Sequence, residues 1–359
     1  MEDADDTIPD PLAPYEEELE LFNPGGTLRK RGRSRHHLVD RHESNPHCPG
    51  CQAKARDKRH YKGSFDREDP RYDKLISMDQ VGCADLPGTI SIGGYRYAIV
   101  FCKVSEDYWD FLPVKSMSAD WAERCFAEFC SAFTDDVSLL VCYCDNHPSL
   151  LNVANRYNMS RFHPPPGRPQ ANSVIERKIG IALQGVRAAL ASGCLPNCFW
   201  NFAGHCFAFN DNLSSRKGDR VPPYTLLTGD EWKGPIFTCG ELVFFKPAKT
   251  ITKHAKLDPR LVPGIFLDYF RGRDGRFSGQ YVVCDLSDFC GKNLHHRVPS
   301  KHFKLHLHRT EVVRLPVGVE HSGEPIYPTR ERFYKVNFTI EGVEKKNRDQ
   351  IEDEIDLGY

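Results

Sequence analysis

The 359-residue chain lacks any apolar run of the roughly 18 residues that a membrane span needs. It also lacks a basic segment leading into an apolar one near its start, so no secretory leader is expected. Net charge is nearly absent too, at −1, so the whole-chain value favours neither a polyanionic nor a polycationic partner. These absences point to a protein outside the membrane in a reducing compartment. Its 14 cysteines are then expected mostly as free, buried thiols, Cys142 and Cys144 among them. Hydrophobic content of 40% and charged content of 27% suit a globular protein, and the length allows two or three domains.

Charge is distributed unevenly. Residues 1–20 hold Glu2, Asp3, Asp5, Asp6, Asp10, Glu16, Glu17, Glu18 and Glu20 and no Lys or Arg. Residues 28–62 are strongly basic, from Arg29, Lys30, Arg31, Arg33 and Arg35 to Lys54, Arg56, Lys58, Arg59 and Lys62. Residues 1–35 show no apolar periodicity and read as a tail whose acidic part can mask the basic arm.

Next comes His36-His37-Leu38-Val39-Asp40-Arg41-His42, followed by His47-Cys48-Pro49-Gly50-Cys51. Cys-x-x-Cys with histidines nearby is a tetrahedral zinc set. Cys48 and Cys51 are its firm members and His42 and His37 the candidate nitrogen ligands, with His36 or His47 as substitutes. So short a segment, about 36–64, has little core, and a metal would supply its folding energy. The basic run with Lys54, Lys58 and Arg59 can lie along a phosphate backbone.

From residue 70 to 213 the pattern is α/β. Strands are expected over Leu75–Val81, Tyr97–Val104, Asp110–Lys115, Ser138–Cys144 and Met159–Phe162. Helices are expected over Ala119–Phe133, Leu150–Tyr157 and from Ser173 to about Ser192, with a last helix carrying Phe199, Trp200, Phe202, Phe207 and Phe209. Ile92-Gly93-Gly94 reads as a turn. Asp79 and Asp145 each end a strand, at the mouth of the sheet where ligands bind. Glu176 lies in the first turn of a helix, where a carboxylate suits the dipole; Asn172 or Ser173 would cap that helix. The helix's buried stripe reads Ile175, Ile179, Leu183, Val186 and Leu190, with Glu176 at its edge. Two aspartates and a glutamate make an all-oxygen set that hard divalent ions prefer, and a pair of such ions is the usual device for phosphodiester attack. Arg168, Arg177 and Lys178 flank the acids and would offset the approach of DNA phosphates.

Asp79, then Asp145-Asn146, then Pro169-Gln170-Ala171-Asn172-Ser173-Val174-Ile175-Glu176-Arg177 resembles the DDE core of retroviral and Ty1/copia-type retrotransposon integrases. The resemblance runs from about His36 to Asp288. It implies a ribonuclease H-like mixed five-stranded sheet with helices, preceded by an HHCC-type zinc module and followed by a small SH3-like β-barrel. It further implies Mg²⁺ or Mn²⁺ at Asp79, Asp145 and Glu176, zinc at the module, DNA ends and target DNA as partners, and a homo-oligomer. The expected activity is DNA 3′-end processing and strand transfer, in the nucleus, with a cytoplasmic particle stage. Two departures stand out. The family pattern continues Asp-Asn-Gly with a Glu two residues on, where this chain has His147, Pro148 and Ser149. The usual Asn-Gly before the glutamate helix is Asn172-Ser173. A catalytically decayed, integrase-derived DNA-binding or interaction protein is the alternative, and a nuclease acting on RNA–DNA hybrids is a third reading. No Tyr-x-Asp-Asp of a reverse transcriptase occurs in the chain.

Residues 214–235 read as a linker and 236–312 as the barrel, with strands at Glu241–Lys246, Gly264–Tyr269, Gly279–Cys284 and Arg297–Lys304 and a hairpin at 272–276. Its Lys246, Lys249, Lys253, Lys256, Arg271, Arg273 and Arg276 suggest a cationic side. Residues 313–359 form a tail with weak strand signals at 332–340 and an acidic end, Glu352-Asp353-Glu354-Ile355-Asp356; the chain's tails could engage a host targeting factor.

Overall fold

The computed structural model describes residues 45, 48, 50–51, 73–82, 90–131, 136–162, 173–214, 221–248, 251, 257, 259–272, 276–316 and 324–333. The expected tail, His37, His42, Lys54, Lys58, Arg59, Arg168 and Asn172 lie outside them, as do the lysines at 249, 253 and 256 and most of the C-terminal tail.

The first half is a five-stranded mixed sheet in the order β3-β2-β1-β4-β5. Its strands are β1 (Leu75–Val81), β2 (Tyr97–Lys103), β3 (Tyr108–Val114), β4 (Val141–Cys144) and β5 (Ser160–Phe162). β1, β2 and β3 are antiparallel neighbours, whereas β4 runs parallel to β1 and β5 parallel to β4. Both faces are covered, which explains the near-continuous apolar runs. On one face Ile76, Met78, Ile99 and Phe101 pack with helices α1 (Ala119–Cys130) and α2 (Pro148–Arg156). On the other, Val81, Ala98, Val100 and Trp109 pack with α3 (Ser173–Gly193) and α4 (Trp200–Leu213). The turn before β2 is closed by Gly94 N–H donating to Ser91 O at 2.9 Å, with Gly93 and Gly94 at φ 88° and 84°.

Two strand expectations are corrected. Residues 137–139 form a 3₁₀ turn, because Asp136 accepts hydrogen bonds from the backbone N–H and hydroxyl of Ser138; the strand begins only at Val141. Residues 297–304 contain a 3₁₀ turn, Ser300–His302, entered from Pro299, which has no N–H to give a ladder. The strand of that region is β9 (Leu307–Thr310).

The C-terminal half is a five-stranded antiparallel sheet, β10-β6-β7-β8-β9, made of β6 (Leu242–Phe245), β7 (Val262–Arg271), β8 (Phe277–Asp285), β9 and β10 (Val313–Arg314). Gly272 N–H donates to Arg276 O at 2.9 Å to close the β7–β8 hairpin. A short helix α5 (Pro223–Thr228) stands inside the stretch expected as linker, and α6 (Pro328–Phe333) inside the expected tail. Thr329 anchors α6 by donating its hydroxyl to Gly193 O at the end of α3.

The two sheets share one core. Twelve of the fourteen residues of α4 are buried, and the helix packs β3 on one side and β7 on the other. A helix apolar on all sides belongs in an interior. Its polar residues are used up by that position. Asn212 Oδ1 accepts from Trp109 N–H at 3.2 Å and Nδ2 donates to Trp109 O at 2.7 Å, satisfying main-chain groups on edge strand β3. Asp211 accepts from Trp109 Nε1–H, and Asn210 Nδ2 donates to Phe237 O at 2.9 Å. Among the described residues no helix is long and apolar enough to cross a membrane.

Candidate active site

The parallel pairing of β1 with β4 sets the site. Its last aligned pair is Met78 with Cys144, so Asp79 and Asp145 are the next residues on neighbouring strands. Such strands lie about 4.8 Å apart. Side chains alternate between faces. Met78 and Cys144 enter the core under α1 and α2, so Asp79 and Asp145 turn to the opposite face, where α3 lies. Glu176 stands in the first turn of α3, and Tyr143 shares its face with the two aspartates. The Tyr143 hydroxyl is held above its usual pKa, first by desolvation and then by the carboxylates of Asp145 and Glu176, which locates Glu176 within electrostatic reach of β4. The Cys144 thiol likewise senses Asp145 and Asp79, although its hydrogen bond with Cys142 dominates and lowers it. Asp79 is half-buried and its Oδ1 accepts from Gln80 N–H at 2.7 Å; Asp145 and Glu176 are exposed.

The three acids share a rim without converging on one point. Among the described residues, only Asp285, Asp288 and His306 bring three candidate ligand atoms within 4.8 Å of one another. That trio, on the far sheet, was not legible as a cluster in the sequence. An Asp-x-x-Asp spacing before β9 is its only signal. It is explained as a loop clasp, because Asp288 accepts from both the backbone N–H of His306 (2.6 Å) and its Nδ1 (2.8 Å).

Arg177 is exposed beside Glu176, where a phosphate contact is open to it. Lys178 is not. It is 1% exposed, forms an ion pair with the Asp107 carboxylate, donates to Asp107 O at 3.1 Å and lies 5.5 Å over the Trp109 ring. The expectation that Lys178 meets DNA is therefore corrected: its ammonium is spent holding the β2–β3 turn, where Asp107 has φ 57°. The buried line of α3 accordingly runs Ile175, Lys178, Ala182 and Gly185, while Ile179 and Leu183 are only half-buried.

A group missed by sequence reasoning stands at the same end of the sheet but on the other face, since Gln80 alternates with Asp79 and shares the α2 side with Met78. The Gln80 side-chain amide lies 3.1 Å from His147 Nδ1 and also donates to Ser149 Oγ. His147 N-caps α2 by accepting from Ser149 N–H, with Pro148 in the first turn. The signal was present in His-Pro-Ser at a strand-to-helix junction.

At the other end of α3, Cys48 is fully buried and Cys51 is 6% exposed, with Cys48 N–H donating to Asn45 O at 3.2 Å. A Cβ on Gly50 would come within 2.9 Å of Ser192 Oγ and 3.2 Å of Ala188, so this turn is seated directly against α3.

No family model and no curated protein matches the chain. Among solved structures it is similar to the catalytic core domain of BIV integrase, at 17% identity and TM-score 0.33, covering 44% of this chain and 95% of that one. It is also similar to a chain of the simian T-cell lymphotropic virus intasome in complex with PP2A regulatory subunit B56 gamma, at 12% identity and TM-score 0.36, covering 68% of this chain and 79% of that one.

Proposed function

We propose that the chain is a DDE-type polynucleotidyl transferase of the integrase kind, acting on DNA ends and target DNA, in the manner of Ty1/copia elements. The observation that carries this reading is the β1–β4 register, which sets Asp79 and Asp145 side by side on the face covered by the Glu176 helix. The donor set is all oxygen and suits Mg²⁺ or Mn²⁺. Asp79, Asp145 and Glu176 would hold such ions, which when bound supply activation of an attacking oxygen and stabilisation of a leaving one. The chain's own contribution is to fix the acids on a rigid sheet and helix and to place Arg177 beside them for a phosphate. Nuclear DNA as target and a homo-oligomeric working form belong to the same proposal.

Strand transfer of a short DNA duplex in Mn²⁺ tests it. Glu176→Gln should lower product at least 100-fold, of the order seen when transition-state electrostatics are removed, while duplex binding persists. Equal product from parent and variant rejects the assignment.

The second reading, an integrase-derived DNA-binding protein, draws on the three acids not converging and on the His147–Ser149 junction. Duplex binding without product from the parent in either metal would favour it.

The module at Cys48 and Cys51 is proposed as a zinc site. Two buried thiols at the start of a helical turn supply half a tetrahedral set. The full-length protein should carry one zinc by metal analysis, lost in Cys48→Ser; equal zinc in both would sink the assignment.

A further inference from the structure

We infer that His147 is a substrate-contacting residue of this site, donating its Nε2–H to a non-bridging oxygen of a nucleic-acid phosphate beside Asp145; this rests on the polynucleotidyl transferase reading. Three groups meet His147 Nδ1: the Ser149 hydroxyl at 2.9 Å, which takes a Gln80 amide proton and has its own to give, and two that can only donate, the Gln80 amide nitrogen at 3.1 Å and the Ser149 backbone N–H at 3.4 Å. Nδ1 therefore accepts, and the proton of the neutral ring resides on Nε2. Gln80 follows Asp79 directly, so one side chain of the acid-bearing strand sets the tautomer of a ring two residues beyond the other acid. His147 is exposed, so the Nε2–H edge is open to solvent at the rim, whereas Ser149 is buried beneath it. A phosphate arriving at three carboxylates meets repulsion. A ring N–H held at the sheet's edge, on the α2 side and two residues beyond Asp145, adds a hydrogen bond to an ionised acceptor without adding a flexible cation.

Two substitutions separate the ring's roles. Asn at 147 keeps an acceptor that can cap α2, and Asn is among the best capping residues. Its amide N–H groups stop short of the position that Nε2 occupies. Gln at 147 places an amide N–H near the former Nε2. With a parent that transfers strands in Mn²⁺, His147→Asn should lower the rate about ten-fold, the worth of one charge-assisted hydrogen bond. Its thermal midpoint should stay within about 2 °C, and His147→Gln should recover part of the rate. A His147→Asn enzyme as fast as the parent overturns the inference.

A second readout does not depend on turnover. In ¹⁵N-histidine NMR spectra of the full chain, the signal absent from His147→Asn identifies His147. It should show the Nε2–H tautomer, and its Nε2 should shift when a DNA duplex is added. An Nδ1–H tautomer, or no shift at saturating duplex, overturns the inference. A parent that binds duplex but makes no product rejects the polynucleotidyl transferase reading alone, and the NMR titration still decides the contact.

Discussion

Arg271, the last residue of β7, forms a buried ion pair with Asp110 of edge strand β3, so a guanidinium from the C-terminal sheet is lodged in the N-terminal one. The same guanidinium donates to His205 Nε2 on α4, and His205 Nδ1 donates to Asp268 at 2.8 Å. Burial pushes the Asp268 carboxyl up, and His205 and Arg271 oppose that. A cation expected from sequence on a DNA-facing side is thus a fastener between sheets. Arg271→Met should cost about 3 kcal/mol, because a charge is left in the interior without its main counterion. Urea denaturation checks this, and a change below about 1 kcal/mol would show the pair to be dispensable.

Lys178 predicts a contrast with its neighbour. Lys178→Met should lower stability by about 3 kcal/mol, since it removes one partner of a buried pair, and should leave duplex affinity unchanged wherever the variant is folded. Arg177→Ala should behave oppositely: stability stays within about 0.5 kcal/mol, while the salt dependence of duplex binding falls by about one unit of slope. Fluorescence anisotropy across a salt series distinguishes the two residues.

Gly185 lies where α3 meets Phe207 of α4, and a Cβ built there overlaps the Phe207 ring. Gly185→Ala should therefore destabilise by about 1–3 kcal/mol as an overpacked interior, against the gain that alanine brings to an exposed helix position. Thermal unfolding of the variant gives the sign directly; a higher midpoint would mean that the two helices part without cost.

The Asp288–His306 clasp predicts a pH dependence. Hydrogen bonding to Asp288 raises the His306 pKa above its usual 6.5. A raised folded-state value means that the clasp's stabilisation is complete below about pH 6.5 and is lost as pH climbs through the folded value. His306 is largely exposed, so the effect is small. Stability should fall between pH 5.5 and 8.5 more in the parent than in Asp288→Asn; parallel profiles would show that the clasp does not titrate with folding.

Much of the first sheet was legible because strands buried on both faces write themselves as apolar runs, and Asp145 stood out as the charge that closes one; Asp79 reads the same way, yet β1 runs on through it to Val81. Glu176 was legible from helix periodicity. Lys178 was not, because three residues after Ile175 is the centre of a buried line, and charge argued for the surface. Ala182 and Gly185 were the clue, since small residues mark where a helix comes close. The strand at 297–304 failed because Pro299 withdraws a ladder donor, a constraint that outweighs the β-branched and aromatic residues around it. The union of the two sheets depends on contacts such as His205 with Asp268 and Arg271 with Asp110, 63 and 161 residues apart, which no local pattern encodes. Its one local trace was α4 itself, whose Trp200 and Phe207 lie on the side opposite Phe202 and Phe209.

That helix also limits how the protein can be dissected. Ending the chain near residue 235 would peel β7 away from one flank of α4, taking the Tyr269 and Phe277 rings from Phe209 and the Phe237 carbonyl from Asn210. A fragment shortened in this way would be a sticky, self-associating species, and silence from it in an assay would speak about solubility, not about whether the acids at the rim can act.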